Sequence, residues 1–147
     1  MKIPYFKQKK DYYCGPAVIQ MALASFGIKK SQDILAKELK TKNDNIGTKN
    51  SSMVKVCKKY IPEVKHREDR SISKMKKYLN KNYLVIVSYF YEPDKTGHFA
   101  IVEKITEKNI YLTDPEDGPN KSLELKHFNK IWYDNERNVG WHLALKK

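Results

Sequence analysis

The chain has only two cysteines in 147 residues, Cys14 and Cys57. They lie far apart and fit neither a zinc-binding spacing nor a disulfide framework. No metal and no other cofactor is implied. The opening residues, Met1-Lys2-Ile3-Pro4-Tyr5, lack an apolar signal-peptide core, and no uninterrupted apolar run approaches membrane length. The expectation is a cytoplasmic chain, or a cytoplasmic piece of something larger, with no stable membrane contact. A reducing compartment disfavours a Cys14–Cys57 bridge. Internal repeats and low-complexity linkers are also missing, so residues 1–147 read as a single domain, large enough for a real core. Despite a net charge of +12, no basic block exceeds a few residues, and lysines alternate with Glu and Asp along the whole chain. That pattern reads as a solvated surface and not as a nucleic-acid interface.

What is present is concentrated near the start. Gln8-Lys9-Lys10-Asp11-Tyr12-Tyr13-Cys14-Gly15-Pro16-Ala17 passes from a polar loop into an apolar run that stops at Gly27. The pattern predicts a helix from about Cys14 to Phe26, with Pro16 in its first turn and Gly27 just past its end. A cysteine there sits among unpaired N–H groups and the positive end of the helix dipole, which favour a thiolate. The competing reading is a small buried core cysteine.

Further helices are expected after Ser31, with Ile34, Leu35 and Leu39 inward, and after Asn50 or Ser51, with Met53, Val54, Cys57 and Tyr60 on one face. Cys57 is therefore structural. Ser71 opens a fourth helix. Then the period changes. Tyr83 to Tyr91 reads as a central strand, His98 to Ile105 and Ile110 to Thr113 as two more, and Val139 to Leu145 as a last one, with a short helix over Leu125 to Trp132. Helices first and strands afterwards indicate an α+β fold with an antiparallel sheet.

A cysteine nucleophile needs a base, an orienter for the base and an oxyanion donor. Of four histidines, His66 lies in a charged stretch and reads as a solvated loop residue. His127 sits in the short helix, and His142 alternates with core residues. His98 differs: it opens a strand just after Gly97, which leaves room for a substrate. Asp114 ends the following strand, since Pro115 cannot continue a ladder. A three-residue turn at Thr106-Glu107-Lys108 pairs Ile105 with Asn109 and sets Asp114 opposite Ala100. His98 and Asp114 are then diagonal neighbours on one face. An even turn would throw them onto opposite faces, so the pairing demands an odd turn or a bulge. Gln8, upstream, can place its amide beside the Cys14 N–H as a second oxyanion donor.

The segment from Gln8 to Leu23, QKKDYYCGPAVIQMAL, resembles the active-site segment of the C39 family of papain-like cysteine peptidases, with a glutamine six residues ahead of Cys-Gly-x-Ala. Gly97 to Val102, GHFAIV, and Thr113-Asp114-Pro115 are similar to the family's histidine and aspartate segments. The resemblance implies a papain-like fold, with a helical N-terminal half whose nucleophile helix packs on a C-terminal sheet. It assigns Cys14 as nucleophile, His98 as general base and acid, Asp114 as orienter and Gln8 to the oxyanion hole, with Gly97, Gly15 and Tyr13 as candidate substrate-binding positions. The implied partner is a peptide or protein substrate, and association with a transporter is possible, because members fused to ABC transporters cut leader peptides after Gly-Gly. Pro16 looks more like the stand-alone branch. Tyr13 stands where the family often has Asp, so that polar contact is absent or comes from Asp11. An acyl transferase or isopeptidase, or a peptide-binding module without turnover, are the alternatives. The first turn after Cys14 must then pack on the rim of the His98–Asp114 hairpin.

Overall fold

The structure, a computed structural model, describes residues 2–134 and 139–147. Met1, the first of the opening residues, lies outside them. The described residues form α1 (Cys14–Ser25), α2 (Gln32–Leu39), α3 (Asn50–Tyr60), β1 (Glu63–Arg67), α4 (Ile72–Asn80), β2 (Leu84–Tyr91), β3 (Thr96–Ile105), β4 (Asn109–Asp114), β5 (Gly118–Glu124), α5 (Leu125–Ile131) and β6 (Trp141–Lys146). All strand pairs are antiparallel, in the order β1-β6-β2-β3-β4-β5. The α+β expectation holds.

Strand alternation divides the core. One set of side chains, Leu84, Ile86, Phe99, Ile101, Trp141, Leu143 and Leu145, packs with α1, α2 and α3. The alternate set, including Val85, Val87, Tyr89, Ala100, Val102 and Ala144, packs with Met75 of α4 and with Phe128, Ile131 and Trp132 at α5. Such two-sided burial explains why β2 reads as an unbroken apolar run.

The α1 helix is buried along most of its length because its side chains are small or apolar all round. It ends as expected. Gly27 has φ +84°, and the Gly27 and Ile28 N–H groups donate to Ala24 O and Leu23 O at 3.0 and 2.9 Å, a left-handed cap that glycine adopts without a Cβ penalty. Ser31 and Ser71 cap α2 and α4 by accepting from Ile34 N and Lys74 N, each at 3.2 Å.

Several expectations need correction. Ile34 is half exposed, because the buried stripe of the short α2 runs through Leu35, Ala36 and Leu39. Neither Asn50 nor Ser51 caps α3. Lys49 holds the cap position, and the Asn50 amide instead donates to Asp134 at 2.7 Å inside the protein. His66 is not in a loop: it lies in the edge strand β1, opposite Leu143, with its side chain exposed. A further edge strand, β5, is not among the expected elements.

Candidate active site

Register decides the site. At the tip of the β3–β4 hairpin Ile105 pairs with Ile110, and Thr106 N donates to Asn109 O at 2.8 Å, leaving an even, two-residue turn of Glu107 and Lys108. The expected three-residue turn is therefore not what sets the register. The pairing shifts between Val102 and Lys104, a bulge that places Val102 opposite Leu112 and Ile101 opposite Thr113. The bulged Glu103 accepts from Thr113 Oγ1 at 2.6 Å. Beyond the bulge the ladder is in the register that puts His98 and Asp114 on one face. Their side chains meet: His98 Nε2 lies 2.9 Å from Asp114 Oδ1. β3 begins two residues earlier than expected, so His98 is its third residue and Gly97 its second.

Asp114 is fully buried. Its Oδ1 also accepts from the N–H groups of Glu116 and Asp117, at 2.9 and 3.0 Å, and its Oδ2 accepts from the Tyr89 hydroxyl. Burial would push this carboxyl up, but the hydrogen bonds from His98, Tyr89 and Asp117 hold it below the usual carboxylate range. His98 is buried too. Desolvation would lower its pKa, yet the bonds to Asp114 and to the Cys14 thiol carry it up to about 10. With Nε2 taken by Asp114, Nδ1 is the ring nitrogen left for Cys14. Tyr91 stacks on the imidazole, centroids 4.4 Å apart, and the Tyr89 ring meets it edge-on at 5.7 Å.

Cys14, the first residue of α1, shares a cleft of about 210 Å³ with His98 and Gly97. Its other walls are Asp11 and Tyr12, the 43–47 loop, and Asp94 and Thr96 at the end of the β2–β3 hairpin. Thr96 Oγ1 donates to Asn45 O at 2.9 Å and ties two of those walls together. The N-terminal segment binds the other side of the hairpin: Gln8 N donates to Pro115 O at 2.9 Å, and the Tyr5 hydroxyl to Asp114 O at 3.0 Å. The first turn of α1 thus sits against the hairpin rim, as the sequence required.

Three expected residues are placed differently. Gln8 is buried near the cleft, but its Nε2 donates to Lys10 O and Asp11 O, both at 3.0 Å, so both amide protons already have acceptors. Gly15 and Tyr13 do not line the cleft. Gly15 is there for close approach, since a Cβ would stand 2.6 Å from Thr48 Oγ1. The Tyr13 hydroxyl donates to Asp33 Oδ1 at 3.0 Å and fastens the loop before Cys14 to α2. Cys57 is fully buried, and desolvation pushes its thiol up to about 12. Sequence reasoning missed Tyr89, Tyr91 and Lys121 around the histidine. The only signal was a run of alternate tyrosines in β2.

A helix with a thiol at its N-terminus, packed against an antiparallel sheet whose rim carries a His–Asp pair, defines the papain-like class of fold. The chain belongs to the Peptidase_C39 like family, whose model matches residues 1–139. Solved structures agree on the fold. The peptidase domain of Streptococcus ComA, a bi-functional ABC transporter involved in a quorum sensing pathway, superposes with a TM-score of 0.74 at 21% identity, covering 97% of this chain and 98% of that one. A Bacillus anthracis protein described as a C39-like peptidase gives 0.80 at 15% identity, over 99% and 95%. A double glycine motif protease from an AMS/PCAT transporter, solved with its leader peptide, gives 0.70 at 18%, over 99% and 91%. No described helix is long and apolar enough to cross a membrane.

Proposed function

We propose that this peptidase-family chain is a cysteine peptidase that uses Cys14, His98 and Asp114. The observation that carries the reading is the buried His98–Asp114 hydrogen bond of 2.9 Å, in the same cleft as a thiol at a helix N-terminus. The Cys14 thiolate attacks the peptide carbonyl carbon, and the C=O electron pair moves to oxygen. Unpaired first-turn N–H groups of α1, the Cys14 N–H first, hold that oxyanion. As the C–N bond breaks, the His98 imidazolium gives its proton to the leaving amine. A water then loses a proton to His98 and attacks the thioester, which frees the acid and regenerates the pair. Asp114, through His98 Nε2, keeps the ring aimed and its charge matched. Gln8 donates to the oxyanion by sharing one amide proton now held by Lys10 O or Asp11 O.

The substrate is a peptide, in keeping with the leader-peptide complex of the structurally similar protease. Association with a transporter is part of the same reading. The test is a peptide-library digest with wild type, Cys14→Ala and His98→Ala, read by mass spectrometry, alongside iodoacetamide labelling. Cleavage by wild type alone, with Cys14 alkylated far faster than Cys57, is expected. Equal, slow labelling of both thiols would sink the activated nucleophile. Products joined to an added amine, in place of hydrolysis, would make the chain an acyl transferase.

A further inference from the structure

We propose that Tyr89 and Lys121 are positioning residues for the His98–Asp114 pair, gripping the carboxylate on the oxygen that His98 does not use. The inference rests on the reading of Cys14 as nucleophile and His98 as base.

Asp114 Oδ1 is crowded: His98 Nε2 and two backbone N–H groups all converge on it. Among the described residues Oδ2 has one hydrogen-bond donor, the Tyr89 hydroxyl. Lys121 Nζ in turn donates to the Tyr89 oxygen at 3.0 Å. A tyrosine oxygen that accepts from a lysine keeps its single proton for the carboxylate, so Lys121 orients the Tyr89 bond. Its ammonium also stands 3.8 Å from Asp114 Oδ2, 5.3 Å from the Tyr89 ring centre and 4.9 Å from that of Tyr91. The relay runs from Lys121 on β5 through Tyr89 on β2 to Asp114 on β4 and His98 on β3. Four neighbouring strands therefore aim one imidazole.

Two consequences follow. A carboxylate pinned on both oxygens cannot swing about its own axis, so His98 stays pointed at Cys14. Lys121 also draws off part of the Asp114 field that would otherwise stabilise the imidazolium. Other charges face the pair. Cys14 comes from α1, Tyr91 from β2 and Tyr5 from the N-terminal segment. Glu116 and Asp117 come from the β4–β5 turn, with Asp117 Oδ2 taking Lys121 Nζ at 2.6 Å and Asp117 Oδ1 the Tyr91 hydroxyl at 2.7 Å. Asp11, Asp44 and Asp94 line the cleft beside His98. Removing the Lys121 charge leaves all these anions less compensated, so the imidazolium becomes harder to deprotonate.

The test uses iodoacetamide as the probe and follows the alkylation rate of Cys14 against pH, so no peptide substrate is needed. For Lys121→Met the alkaline step of the profile moves upward by about half a pH unit or more. For Tyr89→Phe the plateau rate falls about threefold to tenfold, the loss of a hydrogen bond to a charged group attenuated by the remaining contacts. Reduced folding alone lowers the amplitude of labelling and leaves rate constant and pH step unmoved. Lys121→Gln, at a side chain only 20% exposed but near the surface, repeats the charge test should the methionine variant fold poorly. A folded variant of either residue with the wild-type rate and profile overturns the proposal for that residue. If wild-type Cys14 is alkylated no faster than Cys57, the nucleophile reading itself fails, whichever way the variants behave.

Discussion

Replacing His142 with phenylalanine should flatten the acid side of the stability profile. His142 is completely buried in β6, beside Tyr78 and Trp132, and neither ring nitrogen has a hydrogen-bond partner among the described residues. Burial is the main cause that lowers its pKa, to about 4. Arg67 pushes the same way and Asp69 opposes. The unfolded chain titrates near the ordinary histidine value of about 6.5. Between those two values the unfolded state binds a proton that the folded state refuses, so stability is full above about 6.5 and is lost as pH falls toward 4. A difference of about 2.5 pKa units at about 1.4 kcal/mol per unit gives a loss of roughly 3 kcal/mol across that window. The window can be isolated. Asp114, held low, loses its contribution only as pH falls below the unfolded carboxylate range. His98, held high, is protonated in both states below about 6.5 and loses its contribution only as pH rises toward 10. Urea denaturation of wild type and His142→Phe at half-unit steps from pH 4.5 to 7.5 is the assay. The wild-type curve should fall by about 2–3 kcal/mol from pH 7 to 4.5, while the variant falls much less. Parallel curves for the two proteins would refute the assignment.

Other outcomes can be stated together. Gln8→Ala should lower kcat about tenfold or more with little change in KM, because the proposed mechanism gives its amide a share of the oxyanion and the same amide holds the Lys10 and Asp11 carbonyls; an unchanged kcat removes it from the site. Cleavage of peptides with Lys or Arg next to the scissile bond should exceed that of Glu-bearing equivalents, and the advantage should shrink with added salt. The cleft is lined by Asp11, Asp44 and Asp94 and, among its described lining residues, by no lysine or arginine. A preference for acidic peptides would contradict this. Deleting Glu103 should leave Cys14 activation in place, since the two-residue turn then gives a straight ladder in which Val102 still faces Leu112 and His98 and Asp114 still share one face; loss of fast labelling in a folded deletion variant would contradict this register.

The parts of this fold that were legible in the sequence are those where local chemistry and burial agree. The α1 helix announced itself through Pro16, an apolar run and Gly27. The demand for an odd turn or a bulge followed from strand periodicity alone, and the bulge met it. The edge strands were hidden for a physical reason. β1 and β5 each have a neighbour on one side only and carry polar residues on both faces, so neither shows the alternation that marks a half-buried strand. The capping of α3 was misread because Asn50 finds a better acceptor, Asp134, in the interior. The surroundings of His98 were beyond reach for a different reason. Tyr89, Asp114 and Lys121 come from three separate strands, and only the completed sheet brings them together. Cys14 to Asp114 could be proposed by spacing and resemblance, whereas the lysine that steadies their geometry sat in an ordinary polar stretch.

The strand that comes last in chain order, β6, lies inside the sheet, between β1 and β2. Among the described residues β1 has no other strand partner, and Trp141, Leu143 and Leu145 complete the core beneath α1. During synthesis α1 and the β3–β4 hairpin therefore leave the ribosome before the strand that completes the core beneath α1. Until β6 emerges, β1 has no ladder to join and α1 rests on an open core. The fold therefore closes from its middle: the last strand to be made is an inner one, and the core on which α1 rests is sealed only by it.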